Sequence, residues 1–222
     1  MTKNMDEKKD SRPKTGRDPL DRYYTPHGLA RGCLRWLALT AERGGIGRPQ
    51  AVAEPCAGAG AFGWAAREVW GSQVALEGCD IDRDAAPDFR CATAPAAEWT
   101  PRNSAPWIPT NPHYADVYTT IRVMRAMQER AQAPVLGLLL RATTLERVMA
   151  SDDVPHQIAI TGQRPRWEGP GGAALRSGDT CGSVFLVWYR AWGVTLAGAP
   201  SLIVGLPQWR AVGRGQANGG AK

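Results

Sequence analysis

The chain has 222 residues, of which 43% are hydrophobic and 22% are charged, and its formal net charge is +6. These proportions are typical of globular proteins and exclude a fibrous or wholly disordered chain. No apolar run approaches the roughly 20 residues of a membrane span, and the polar N-terminus lacks the apolar segment of a secretory signal. The sequence therefore predicts a cytoplasmic protein with no membrane partner.

The positive charge is concentrated at the two ends of the chain. Residues 1–22 carry seven basic and five acidic side chains, whereas residues 207–222 carry three basic side chains and no acidic one. We predict a disordered arm over residues 1–20, one globular domain over residues 21–207 and a flexible tail over residues 208–222. Because the central part is close to neutral, the net charge alone does not indicate nucleic-acid binding.

The cysteines give no sign of a metal site or of a disulfide framework. There are five of them, widely spaced, and no two form a C-x-x-C pair. Structural zinc sites and disulfide-rich domains both have closely spaced cysteines. We therefore expect no metal and no disulfide.

Predicted helices and strands alternate along the chain. Helical spacing of apolar residues is found over 26–42, 60–70, 115–131 and 143–150. Short apolar runs predict strands over 51–54, 74–79, 90–93, 106–110, 134–140, 156–161 and 183–190. This alternation predicts an α/β fold with a mainly parallel sheet covered on both faces. The last two strands have no helix between them, so we expect an antiparallel pair there.

A glycine-rich turn follows the first predicted strand. Gly58, Gly60 and Gly63 satisfy G-x-G-x-x-G, and Asp80 follows 22 residues after Gly58, as in dinucleotide-binding loops. Glycines let the backbone approach a ligand closely, and a helix N-terminus offers free N–H groups. Glu54, however, stands between the strand and the glycines, where its carboxylate would repel a pyrophosphate and attract a cation. This favours S-adenosylmethionine (SAM), which is cationic and has no phosphate, over the alternative of a dinucleotide oxidoreductase.

The second predicted strand ends at Asp80-Ile81-Asp82. An acidic residue at this position can accept hydrogen bonds from both ribose hydroxyls. We predict Asp80 in this role, with Asp82 as the alternative, and Ile81 against the adenine. The predicted cofactor-binding residues are Tyr24, Thr25, Pro26, Glu54, Pro55, Ala57, Gly58, Gly60, Phe62, Asp80, Ile81 and Asn111.

Residues 107–114, Trp-Ile-Pro-Thr-Asn-Pro-His-Tyr, are the most informative stretch. Asn111-Pro112-His113-Tyr114 resembles the [D/N/S]-P-P-[Y/F/W] motif of SAM-dependent amino-methyltransferases, with His113 in place of the second proline. The Asn111 side-chain oxygen and the Pro112 carbonyl would accept the two N–H bonds of a target amine and stabilise the positive charge that develops on it. Tyr114 would stack on a base flipped out of its helix. We predict these four residues as the catalytic tetrad.

Other segments resemble N6-adenine DNA methyltransferases of the small phage type. Arg22-Tyr23-Tyr24-Thr25-Pro26 is similar to their N-terminal Y-x-T-P element, and residues 138–146 and 163–169 are similar to later stretches. The resemblance covers about residues 22–190. It implies a Rossmann-like class I methyltransferase sandwich with an antiparallel C-terminal strand. It also implies SAM as the cofactor, held at its methionine end by the N-terminal element. Thr25 in that element could instead cap the helix that starts at Pro26.

The expected reaction is methyl transfer from SAM to the N6 amine of adenine in DNA. No segment is long enough for a separate target-recognition domain, so the DNA would be read by short loops. The predicted substrate-binding residues are Tyr114, Arg164, Arg166, Trp167 and Arg176. We expect a monomer in a bacterial or phage-infected cell, with DNA as its partner. The alternatives are the same chemistry on RNA or protein glutamine, and a degenerate, non-catalytic module that binds SAM or DNA.

Overall fold

The computed structural model describes residues 23–85, 87–113, 116–161, 165–168 and 181–190, together with the backbone of 201–204. Its four α-helices are α1 (His27–Arg43), α2 (Ala61–Trp70), α3 (Val117–Arg130) and α4 (Leu145–Met149). Its strands are β1 (Ala51–Pro55), β2 (Ala75–Asp80), β3 (Arg90–Thr93), β4 (Ile108–Thr110), β5 (Val135–Arg141), β6 (Gln157–Ile160), β7 (Ser183–Tyr189) and β8 (Ser201–Val204). A short 3-10 helix, Ala142–Thr144, precedes α4.

The described strands form one continuous layer in the order β3-β2-β1-β4-β5-β7-β6-β8. β1, β2 and β3 pair in parallel, as do β4 with β5 and β6 with β8, whereas β7 runs antiparallel to both of its neighbours. Between β1 and β4 the layer is joined by Trp107, which donates its N–H to the Ala51 carbonyl and accepts from the Ala53 N–H, both over 2.9 Å. This topology confirms the predicted Rossmann-like sandwich and its antiparallel strand. The strand β8 was not predicted.

Two hydrophobic cores lie on the two faces of the sheet. On one face α1 and α2 cover the sheet with buried residues at helical spacing, including Leu29, Leu34 and Phe62, and Phe62 stacks on Phe185 of β7 at 6.0 Å. On the other face α3 contributes Ile121, Met124 and Met127 against the buried run of β5. Covering both faces leaves the edge formed by the strand ends as the accessible part of the sheet.

The start of α1 differs from the expectation. Pro26 is the N-cap residue, and no side chain makes a cap hydrogen bond. Instead the Pro26 carbonyl accepts from the N–H groups of Leu29 and Ala30, which closes the first turn through the main chain. Thr25 is buried and does not cap the helix, so that part of the prediction is wrong. None of the described helices has the length and apolar character that crossing a membrane requires.

Candidate active site

Several of the predicted site residues that the structure describes lie at one edge of the sheet. β1, β2 and β4 are parallel and end at Pro55, Asp80 and Thr110, so the segments that follow them meet at the same edge. In open α/β sheets ligands bind in the crevice outside the carboxyl ends of the strands. The glycine loop, Asp80 at the end of β2, and Asn111, Pro112 and His113 of the predicted tetrad therefore lie at the same edge of the sheet.

The glycine loop uses left-handed backbone at three positions. Cys56, Gly58 and Gly60 have φ angles of 57°, 50° and 76°. At Gly58 a Cβ atom would lie 2.8 Å from the ring of Tyr24, so glycine allows the N-terminal element to lie directly on the loop. Ala57 is buried, and its N–H donates to the Cys79 carbonyl over 3.0 Å, which ties the loop to the end of β2.

The third glycine of the pattern has a packing role. Gly63 is the third residue of α2, and a Cβ atom there would lie 2.3 Å from the Phe89 ring. The same ring lies 2.7 Å from the corresponding position at Gly60. Phe89 thus fills the space beside α2 and β2. The side chain of Phe62 also points into the core, so only its main chain belongs to the loop.

Glu54 closes the N-terminus of α2 from inside the protein. It is 3% exposed, and its two oxygens accept from the N–H groups of Phe62 at 3.1 Å and Gly63 at 2.7 Å. Burial raises the pKa of Glu54 to about 8, against the lowering effect of these hydrogen bonds and with a smaller contribution from the Asp80 charge. The carboxylate therefore holds the loop in addition to any contact with a ligand.

Asp80 connects the loop to the turn after β2. One oxygen accepts from the Gly58 N–H at 2.8 Å and the other from the Asp82 N–H at 2.9 Å. Each carboxylate oxygen has two lone pairs, so these bonds do not exhaust its capacity to accept from ribose hydroxyls. Asp82 is buried and accepts from the Asp84 N–H, which makes it a turn residue. Ile81 is 60% exposed beside Asp80.

Three cysteine thiols lie near this pair of carboxylates. Burial, together with the negative charge of Asp80, raises the pKa of Cys56 to about 12, of Cys79 to about 12 and of Cys91 to about 11. Such thiols stay protonated at neutral pH and are weak nucleophiles. No group of acidic, histidine and cysteine side chains within the described ranges is arranged to hold a metal ion.

The tetrad begins where β4 ends. Thr110 is fully buried, and its hydroxyl donates to the Pro55 carbonyl, which fixes the end of β4 against the end of β1. Asn111 is half-buried, and its side-chain nitrogen donates to the Tyr23 carbonyl over 3.3 Å. Pro112 is buried and His113 is exposed. Tyr114 lies outside the described residues.

His113 contacts its neighbours through its main chain. Its carbonyl accepts from the Thr120 hydroxyl over 3.1 Å, and its backbone forms a hydrogen bond with the Cys56 thiol. The second of these contacts links the tetrad to the glycine loop. The main chain of His113 thereby makes two contacts, although His113 replaces the second proline of the motif.

The N-terminal element pairs with the segment that carries the predicted substrate-binding residues. Tyr24 and Glu168 form an antiparallel bridge, with N–H to carbonyl distances of 2.8 and 3.1 Å. Arg166 is exposed close to this bridge, whereas Trp167 is 3% exposed in the core formed with α1 and α2. The Trp167 ring is thus not at the surface, because it fills apolar space beneath the bridge. Arg164 and Arg176 lie outside the described residues.

Sequence reasoning did not single out Tyr23 or Thr110 as site residues. Tyr23 acts through its carbonyl, which every residue has, so its identity carries no signal. Thr110 stands at the end of an apolar run, and a polar residue there could have been noticed as needing a partner.

Comparisons with known proteins agree on the fold. No protein-family model matches the chain, and a search of curated proteins gives no match. Among solved structures, a candidate RNA methyltransferase from Pyrococcus horikoshii is similar over 78% of this chain and 87% of its own, with 16% identity and a TM-score of 0.54. A candidate class I SAM-dependent methyltransferase from Listeria monocytogenes is similar over 83% of this chain and 66% of its own, with 9% identity and a TM-score of 0.51. This chain has the class I methyltransferase fold.

Proposed function

We propose that the protein transfers a methyl group from SAM to the N6 amine of adenine in DNA. The observation that carries this proposal is the position of Asn111. Asn111 directly follows β4, and its side-chain nitrogen donates to the Tyr23 carbonyl. His113, two residues further along the chain, is hydrogen-bonded to Cys56 of the glycine loop. The amide that would accept the target amine is thus close in the chain to a residue bonded to the loop that would hold the methyl donor, and this supports the proposal.

The charges at the site fit a cationic cofactor. Glu54 and Asp80 lie within electrostatic reach of each other, and neither forms an ion pair with a basic side chain in the described part of the chain. The negative charge of Asp80, with no cation beside it, favours a positively charged ligand and disfavours a phosphate. Such a ligand would also favour the ionised form of Glu54, whose pKa is raised to about 8 by burial. Glu54, Asp80, Ile81 and the main chain at Gly58 would hold SAM, which supplies an electrophilic methyl group bound to a sulfonium.

The tetrad supplies hydrogen-bond acceptors for the amine. The exocyclic amine of adenine is a weak nucleophile because its lone pair is delocalised into the ring. Since the Asn111 nitrogen donates to Tyr23, the side-chain oxygen is the amide atom that would accept from the amine, together with the Pro112 carbonyl. Acceptors fixed in this way stabilise the positive charge on the amine without reorganising during the reaction. Tyr114 would hold the flipped base by stacking.

The DNA itself would be contacted around the Tyr24–Glu168 bridge. Arg166 is exposed there, and its segment is joined to the N-terminal element by two main-chain hydrogen bonds. Arginine serves both phosphates and guanine edges. Substrate contact would thus be made by a segment tied to the residues that hold Asn111 and Gly58. We assign Arg164, Arg166 and Arg176 to this role, and the buried Trp167 to support of the segment.

A second candidate is methyl transfer to RNA. This candidate is supported by the similar protein from Pyrococcus horikoshii, which is described as a candidate RNA methyltransferase. Acceptors such as Asn111 and Pro112 serve an adenine amine in either polymer. The two candidates differ only in the nucleic acid that reaches the crevice, so one experiment separates them.

The test is transfer of tritiated methyl from SAM to unmethylated genomic DNA and to total RNA, with mass spectrometry of the product nucleosides. We expect N6-methyladenine in DNA with the wild type, and a loss of at least about 100-fold in methyl transfer by Asn111→Ala. Gln73→Ala is the matched control, since it removes an exposed amide at the opposite edge of the sheet. Methylated adenine in RNA alone would transfer the assignment to RNA. SAM binding without methyl transfer to either polymer would contradict both.

A further inference from the structure

A cavity of about 470 Å³ lies at the edge of the sheet opposite the candidate active site. It is open to solvent and is bordered by the C-terminal half of α1, the segment before β1, the end of α2 and the residue that precedes β4. These parts all lie at the N-terminal ends of the strands, whereas the tetrad and the glycine loop lie at their C-terminal ends. The cavity is thus separated from the candidate active site by the length of the strands.

The walls of the cavity are apolar and aromatic. Trp107 and Trp70 meet edge to face with ring centroids 5.2 Å apart, and Ile46, Val69 and Leu39 continue the same wall. Leu39 is 58% exposed, although it stands on a helix whose opposite face is buried. Ligand pockets are clefts of roughly 300–1,000 Å³ lined mainly by apolar side chains with a few polar groups. This cavity has that size and that lining.

The polar groups of the cavity are mainly cationic. Arg35 on α1 and Arg48 before β1 contribute to its lining, and both side chains are exposed. Within the described ranges neither guanidinium forms an ion pair or a side-chain hydrogen bond. Glu42 is the single acidic residue of the lining. Two unpaired guanidiniums beside an apolar wall provide a place for one anionic group, since Arg binds carboxylates, sulfonates and phosphates.

We propose that this cavity is a second ligand site, which binds a small aromatic anion. The ring system packs against Trp70, Val69 and Leu39, and the anionic group lies between Arg35 and Arg48. The same charges disfavour SAM, because its sulfonium and ammonium, which outnumber its single carboxylate, would face two cations. The site therefore differs in chemistry as well as in place from the candidate cofactor crevice.

The test uses two fluorescent probes with the same ring system. The first is 1-anilinonaphthalene-8-sulfonate, which is anionic, and the second is N-phenyl-1-naphthylamine, which lacks the sulfonate. We expect one sulfonate probe to bind per chain with saturation in the micromolar range, and SAM to leave that binding unchanged. The double variant Arg35→Ala/Arg48→Ala should weaken the sulfonate probe about tenfold and the neutral probe less than about twofold.

Two further variants locate the binding. Trp70→Ala should weaken both probes, because it removes part of the aromatic wall. Arg43→Ala is the matched control, since Arg43 is an exposed arginine of the same helix outside the cavity, and it should change neither affinity.

Four results would overturn the proposal. The first two are a lack of saturable probe binding and displacement of the probe by SAM. The third is an equal loss of affinity for both probes in the double arginine variant. The fourth is a dimer that does not bind the probe and that Leu39→Glu splits into monomers. The last result would mean that a second copy of the chain covers this face.

Discussion

The side-chain nitrogen of Asn111 donates a hydrogen bond to the main-chain carbonyl of Tyr23, over 3.3 Å. The next residue, Tyr24, lies with its ring against Gly58 of the glycine loop. Two consecutive residues of the N-terminal element therefore contact two segments of the candidate site, Tyr23 the predicted tetrad and Tyr24 the glycine loop. This explains why a short segment far away in sequence belongs with the tetrad and the glycines.

The ring of Tyr24 should be needed for cofactor binding. Because it lies in contact with Gly58, Tyr24→Ala should leave the loop without support and weaken SAM binding about tenfold, measured by calorimetry. Tyr24→Phe keeps the ring and should bind SAM within about twofold of the wild type. Equal weakening by both substitutions would show that the hydroxyl, and not the ring, is what matters.

Removal of the Thr110 hydroxyl should affect both stability and turnover. Thr110→Val keeps the size of the side chain but leaves the buried Pro55 carbonyl without its donor, which should cost about 1–3 kcal/mol in the free energy of unfolding. Because Asn111 is the next residue, kcat should also fall, by about tenfold. Urea denaturation and methyl-transfer kinetics measure the two effects. Thr110→Ser restores the donor, and a serine variant as impaired as the valine variant would contradict this account.

Two glycines in helices should respond in opposite ways to alanine. A Cβ atom at Gly63 would overlap the Phe89 ring, whereas one at Gly32 of α1 meets nothing within 4 Å. Gly63→Ala should destabilise the protein by about 1–3 kcal/mol. Gly32→Ala should stabilise it by about 0.5–1 kcal/mol, because alanine loses less conformational entropy in a helix. Thermal unfolding of the two variants compares them directly, and destabilisation by both would be unexpected.

Stability should depend on pH through Glu54. The folded protein keeps the proton of this carboxyl up to its raised pKa of about 8, whereas the unfolded chain releases it near the ordinary value of 4.5. In this window the unfolded state binds fewer protons, so the contribution of Glu54 to stability decreases as the pH rises. Glu54→Gln has no such titration. Its unfolding free energy should therefore improve relative to the wild type between about pH 5 and pH 8, and a constant difference across that range would contradict a raised pKa.

The elements were predictable from sequence where one physical signal dominates. The helical spacing of apolar residues located α1 and α3 to within about two residues, and buried runs located β5 and β7. The strand β8 is only four residues long, and nothing in its sequence distinguishes so short a run from a loop. The burial of Trp167 was not predicted either. Its position beside arginines suggested an exposed side chain, and the residues that it packs against belong to α1 and α2, which are distant in sequence.

For the site too, sequence motifs could be predicted, whereas contacts with distant segments could not. The spacing of Gly58, Gly60 and Asp80 predicted a loop and an acid that the structure joins by a hydrogen bond. It could not show that Gly63 makes room for Phe89, since that contact depends on the path of the chain after β2. Nor could it show that Glu54 faces the start of α2, because the direction of a side chain follows from the turn between strand and helix.

The boundary between β1 and β4 is the narrowest connection in the sheet. At one end the two strands are joined by two main-chain hydrogen bonds of Trp107. At the other end they are joined by the hydrogen bond from the Thr110 hydroxyl to the Pro55 carbonyl. The glycine loop belongs to one side of this line and Asn111 to the other. If the protein has the proposed function, a small sliding movement along this boundary would change the distance between methyl donor and acceptor without changing the loop or the Asn111 turn themselves. On the proposed function, the alignment of donor and acceptor would therefore depend on contacts that touch neither of them.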